Sequence, residues 1–202
     1  MAGADPERRA SPAVLVVTGA DSALGAAVVE EARRVELPVL ACGADHAALT
    51  ALAGEGVVAL TLSGADPEQI RVLLAVAEDR FGGVHGVVHA AGHGGVPDAP
   101  SGVGERLAAV RALCAALPDS TPQVLVLEES GRRGDPDSPL RAAAAGAIAA
   151  WARSISPAPR IVWVPAAAAP AAWAEPLLRA VRPAGLRGRV ADSARRLVRR
   201  RG

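Results

Sequence analysis

Val14-Leu15-Val16-Val17 runs straight into Thr18-Gly19-Ala20-Asp21-Ser22-Ala23-Leu24-Gly25. A β-branched apolar run, a turn carrying two glycines and then a helical pattern read as strand, tight turn and helix. Glycine lets the backbone turn sharply, and the free N–H groups that open a helix can hold an anion such as a pyrophosphate. On their own, two glycines six apart fit a plain strand–helix turn as well as a phosphate cradle, so the rest of the chain has to decide.

Working outward, the same alternation repeats. After the helix over 24–35 come a strand over 38–42, a helix over 47–53 and a strand over 57–62. Asp66-Pro67-Glu68 then opens a helix with a capping acid, a proline in the first turn and a second acid behind it. Apolar residues Ile70, Leu73, Leu74, Val76 and Ala77 give that helix one buried stripe, and Gly82-Gly83 ends it. A fourth strand spans 84–90, a helix 105–117, a fifth strand 124–127, a long alanine-rich helix 138–155, a sixth strand 161–164 and a last helix 172–181. Residues 186–191 fit a seventh short strand. Strands alternating with helices make a parallel sheet covered on both faces, an α/β doubly wound fold. Ligands of such folds sit in the loops after the strands, where strand order reverses. No repeat or linker divides the 202 residues, so a single domain over 1–202 is expected, with a flexible start (1–12) and an arginine-rich tail (192–202).

Composition narrows the classes. A net charge of +1 gives no reason to invoke nucleic acid or an anionic membrane. The apolar run over 13–17 is too short for a signal segment or a membrane span, which leads us to expect a soluble cytoplasmic protein. Cys42 and Cys114 are isolated and read as reduced thiols. Arg195-Arg196 and Arg199-Arg200-Arg201 read as a solvated end. His85, His89 and His93 recur every four residues, but on a strand that spacing puts neighbours ~13 Å apart, too far to share an ion, so no metal is expected.

Taken with the loop over 18–25, the stretches Asp66-Pro67-Glu68-Gln69-Ile70 and Arg80-Phe81-Gly82-Gly83-Val84-His85-Gly86-Val87-Val88-His89-Ala90-Ala91-Gly92 resemble the short-chain dehydrogenase/reductase superfamily. His89-Ala90-Ala91-Gly92 is similar to the fourth-strand motif of ketoreductases of the 3-oxoacyl-ACP reductase and polyketide type. The resemblance covers nearly the whole chain, most specifically the first ninety residues. It implies a Rossmann fold with NAD or NADP as cofactor, held by Thr18, Gly19, Asp21, Ser22, Leu24, Gly25, Ala44, Ser63, Ala90, Ala91 and Gly92.

That cradle reads as weakened. Ser22 and Ala23 stand where the family has central glycines, and neither takes positive φ cheaply. Ala44 occupies the position where a ketoreductase often has arginine, Asp45 is the only acid beside it, and Ser63 replaces an aspartate that meets the adenine.

The catalytic half departs further. The resemblance implies a tyrosine that hands a proton to the substrate carbonyl, its pKa pulled down by a lysine four residues on along one helical face. Aligned on the helix over 138–155, Arg141 stands at the tyrosine position and Ala145 at the lysine position. Ser130 is a remnant of the carbonyl-orienting serine, and the asparagine of the proton relay falls near Glu105. The chain contains no tyrosine and, its 22 basic residues being all arginine, no lysine. Arginine stays protonated and is a poor acid. His93, Glu128 and Glu129 are the other groups near the crevice, with His93 more simply a loop residue among glycines. The stretches before Glu105 and after Pro165 are short for the family, which trims the substrate lid.

The resulting expectation is a reductase-like chain inactive alone, pairing through helices 105–117 and 138–155, with Trp151 as a candidate anchor, into a homo-oligomer or with an active relative. Two alternatives stay open: an active NAD(P)-dependent oxidoreductase with a rebuilt acid–base site, and an NAD(P)-binding sensor without turnover.

Overall fold

The computed structural model of the chain describes residues 14–62, 66–90, 108, 110–129, 138–156, 158–165 and 168–181. They form β1 (Val14–Thr18), α1 (Ala23–Arg34), β2 (Val39–Gly43), α2 (His46–Leu52), β3 (Val57–Thr61), α3 (Pro67–Phe81) and β4 (Val84–Ala90). Then come α4 (residues 110–116), β5 (Gln123–Glu129), α5 (Ser138–Ser154), β6 (Arg160–Pro165) and α6 (Pro170–Val181).

The strands build one six-stranded sheet in the order β3-β2-β1-β4-β5-β6, every pairing parallel. Order reverses between β1 and β4, which puts the switch point of the sheet beside the Gly19 turn. Side chains alternate across each strand, and the two sets bury against different helices. On one face Leu15, Val17, Val39, Ala41, Val88 and Ala90 pack with α1, α2 and α6. On the other, Val14, Val16, Leu40, Cys42 and Val87 pack against α3 and α4, and Leu125 and Leu127 against α4 and α5. β1 is buried along nearly its whole length, as a central strand covered on both sides must be.

The boundary chemistry follows the sequence closely. Asp66 caps α3 by accepting from the Glu68 N–H at 2.9 Å, and Gly82 closes the helix in the left-handed region at φ 71°. α1 ends in a Schellman motif, with Leu37 N–H bonded to Ala32 C=O at 2.9 Å and Glu36 N–H to Arg33 C=O at 3.0 Å. β5 is longer than the four residues expected, because Glu128 and Glu129 stay in the ladder opposite Val164 and Pro165. β2 begins and ends one residue later than expected, since Gly43 pairs with Thr61 and its carbonyl accepts from the Leu62 N–H at 2.8 Å. The expected seventh strand over 186–191, the start over 1–12 and the tail over 192–202 lie outside the described residues. Among those described, no helix is long and apolar enough to cross a membrane.

Candidate functional site

At the carboxyl end of β1 the chain makes the turn its sequence announces. Gly19 sits at φ 69°, and a Cβ there would lie 2.1 Å from the carbonyl oxygen of Ala90 on β4. Gly25 has an equal reason: a Cβ would lie 2.1 Å from the Gly19 oxygen. Both glycines therefore serve close backbone approach, and Leu24 between them is fully buried. Ala20 N–H bonds to Cys42 C=O at 2.9 Å, tying the turn to the end of β2.

Ser22 corrects the expectation that the substituted glycines strain the loop. It lies at φ −85°, in extended backbone, and is the N-cap of α1. Its hydroxyl donates to Gly19 C=O at 2.7 Å and accepts from Gly25 N–H at 3.0 Å. Ala23 is the first helical residue and is exposed. Positive φ is thus demanded only at Gly19, where glycine is retained. The N–H groups of Ala23 and Leu24 meet no acceptor among the described residues, and of the two Ala23 is exposed, which leaves the positive end of α1 open to an anion at Ala23.

The second half of the site is a carboxylate. Asp21 Oδ2 accepts from Ala44 N–H at 2.8 Å and from Asp45 N–H at 3.0 Å, crossing from the glycine turn to the end of β2. Gly43 makes room for it, since a Cβ there would lie 2.5 Å from Asp21 Cγ. Asp45, the acid that sequence reasoning placed beside the coenzyme, is spent elsewhere: its Oδ1 accepts from Ala47 and Ala48 N–H at 2.9 and 3.1 Å and caps α2. Ala44 is exposed.

Behind the turn runs a buried polar chain that sequence reasoning missed. Thr18 Oγ1 lies 3.1 Å from His89 Nδ1, and His89 Nε2 lies 3.2 Å from Gln123 Oε1. The Cys114 thiol also donates to Gln123 Oε1, at 3.3 Å, while the Gln123 amide nitrogen has no partner among the described residues. The Gln123 oxygen can only accept, so His89 donates from Nε2 and accepts the Thr18 hydroxyl at Nδ1. His89 is 1% exposed, and burial lowers its pKa from 6.5 to about 4. It is a neutral structural group rather than an acid. The only sequence clue was that a histidine inside an otherwise apolar strand must find partners.

His85, four residues back on β4, is half-buried, and burial lowers its pKa too. Burial pushes the Cys114 thiol up to about 11 and raises Cys42 further, so neither is a thiolate at neutral pH. Among the described residues no cluster of histidine, cysteine and carboxylate side chains gathers to hold a metal ion.

Of the expected site residues, Thr18, Gly19, Asp21, Ser22, Leu24, Gly25, Ala44 and Ala90 are gathered around the switch point. Ser63, Ala91, Gly92, His93, Glu105 and Ser130 lie outside the described residues. Positions 141 and 145 fall within α5, with their side chains outside the described set.

A doubly wound parallel sheet with a glycine turn at its switch point defines the Rossmann class. Within that class the chain has the short-chain dehydrogenase/reductase fold. It superimposes with a TM-score of 0.67 on a short-chain dehydrogenase/reductase family oxidoreductase from Aeromonas hydrophila subsp. hydrophila ATCC 7966, at 20% identity over 84% of this chain and 91% of that one. A Brucella melitensis structure described as short-chain dehydrogenase/reductase SDR:Glucose/ribitol dehydrogenase gives 0.64 at 18% identity, covering 87% and 91%. A 3-ketoacyl-(acyl-carrier-protein) reductase from Brucella melitensis, solved in complex with NADH, gives 0.57 at 19% identity, covering 77% and 74%. No protein-family model and no curated protein matches the chain. At these identities the likeness is one of fold.

Proposed function

We propose that this chain is a reductase-fold subunit, cytoplasmic and without turnover of its own, that associates with an active reductase of the same architecture or with itself. One observation carries the reading: the sequence has no phenol and no primary side-chain amine. The architecture delivers a proton to a carbonyl with that pair, and on α5, where it would stand, the chain has Arg141 and Ala145 instead. The buried His89 cannot stand in, because it is neutral and sealed behind the turn. The face of α5 bearing Gly146, Ala147 and Ala150 is exposed and small-chained, which suits close approach of a second helix.

The glycine turn supports a second, compatible reading, that the subunit binds a nicotinamide dinucleotide without consuming it. The exposed start of α1 at Ala23 would face the pyrophosphate, and Asp21 the adenosine ribose. Such a dinucleotide supplies hydride when bound; the chain's own residues would only seat it.

The subunit reading is tested by affinity purification of the tagged, full chain from its native cell, followed by sizing. A stoichiometric complex, either with an intact reductase or of several copies of this chain, is expected. A lone monomer that captures no reductase would defeat the reading.

A further inference from the structure

The cradle contains a carboxylate where coenzyme choice is made, and it arrives from an unexpected loop. A dinucleotide whose pyrophosphate lies at the start of α1 places its adenosine ribose beside the end of the second strand. There an acid favours the free 2′-hydroxyl, and a cation or free backbone N–H groups favour a 2′-phosphate. Asp45 caps α2 through Oδ1, and Ala44 carries no charge. The acid that crosses to that edge from the glycine turn and holds its backbone N–H groups is Asp21, three residues after the strand that precedes the turn.

We infer that Asp21 makes this site selective for the non-phosphorylated dinucleotide, NAD or NADH, by two means. Its Oδ2 already occupies the Ala44 and Asp45 N–H groups, the donors a 2′-phosphate would need. Its Oδ1 meets no donor among the described residues and is left to accept from ribose hydroxyls. A 2′-phosphate brought there would also face a like charge at close range. Gly43 belongs to the same device, because any side chain at that position would displace the carboxylate. The inference rests on the reading that the crevice takes a nicotinamide dinucleotide.

The test is calorimetric titration of the full chain with NAD and with NADP under one buffer condition. Wild type should bind NAD at least ~30-fold more tightly than NADP. Asp21→Asn, which removes the charge and keeps an acceptor for the loop, should narrow that preference to ~3-fold or less, mainly through tighter NADP binding. Asp21→Ser, which also frees the two N–H groups, should do the same or invert it. Equal or tighter NADP binding by wild type, or a ratio unchanged in both variants, overturns the role of Asp21 while leaving a dinucleotide site in place. Failure of wild type and both variants to bind either dinucleotide overturns the nucleotide reading itself, and this inference with it.

Discussion

Thr18, the last residue of β1, pairs in register with His89, the penultimate residue of β4, and their side chains meet at 3.1 Å on the sheet face covered by α3 and α4. The contact fastens the glycine turn to the core through a histidine that must stay neutral. Its folded pKa of about 4 lies below the ordinary 6.5, so below pH 6.5 the unfolded chain takes up a proton that the native chain refuses. Stability is therefore full above pH 6.5 and is lost as pH falls toward 4. Between roughly pH 7 and pH 5 the loss is about 2 kcal/mol. Urea melts at the two pH values measure it. His89→Asn, which keeps a donor and an acceptor but does not titrate, should remove most of the difference; an unchanged pH slope would exclude His89 as its source.

The two kinds of demand on glycine can be separated by substitution. Gly56 lies at φ 75° with open space where a Cβ would go, whereas Gly19 lies at φ 69° with the Ala90 oxygen in the way. Gly56→Ala should cost about 1 kcal/mol, the price of left-handed backbone alone. Gly19→Ala should cost at least about 3 kcal/mol or prevent folding, because β1 and β4 would have to part. Equal losses in thermal melts would mean that the turn is not clamped against β4.

At the other end of α1, Glu36 takes φ 56° at the position of the Schellman motif that glycine usually holds. Glu36→Gly should stabilise the chain by about 0.5–1 kcal/mol, read as a rise in the denaturant midpoint. A fall in the midpoint would show that the glutamate contributes more than its strain costs.

For the proposed pairing, Ala147→Arg with Ala150→Arg puts two charges on the exposed face of α5 without touching Ala149 or Ala152, which face the core. The oligomer should separate into monomers on sizing, with the helical circular dichroism retained. An unchanged assembly would place the interface elsewhere.

The order of elements was legible in the sequence wherever local chemistry punctuates it. Asp66 and Gly82 announce both ends of α3, and Gly19 and Gly25 announce the turn, because each acts on backbone within a few residues. The relationships that define the site are of another kind. Asp21 reaches residues 44 and 45, and His89 joins residues 18 and 123; no local pattern encodes such pairings. Ser22 misled for a related reason. A serine in place of a glycine reads as lost freedom, until the observed φ shows that the position wants a cap. Asp45 misled in the opposite sense, being an acid in the expected place whose Oδ1 is already taken up in capping α2.

The proposed catalytic silence rests on the absent tyrosine and lysine, and it is tested most directly by the loss of reduced-nicotinamide absorbance. The assay presents NADH and NADPH, each with β-ketoacyl and cyclic ketone substrates, to the purified chain alone. The account predicts no rate above the buffer blank at any pH from about 6 to 8, where an ordinary histidine would titrate. Saturable consumption of either coenzyme that disappears on adding the unfolded protein in place of the folded one would contradict it.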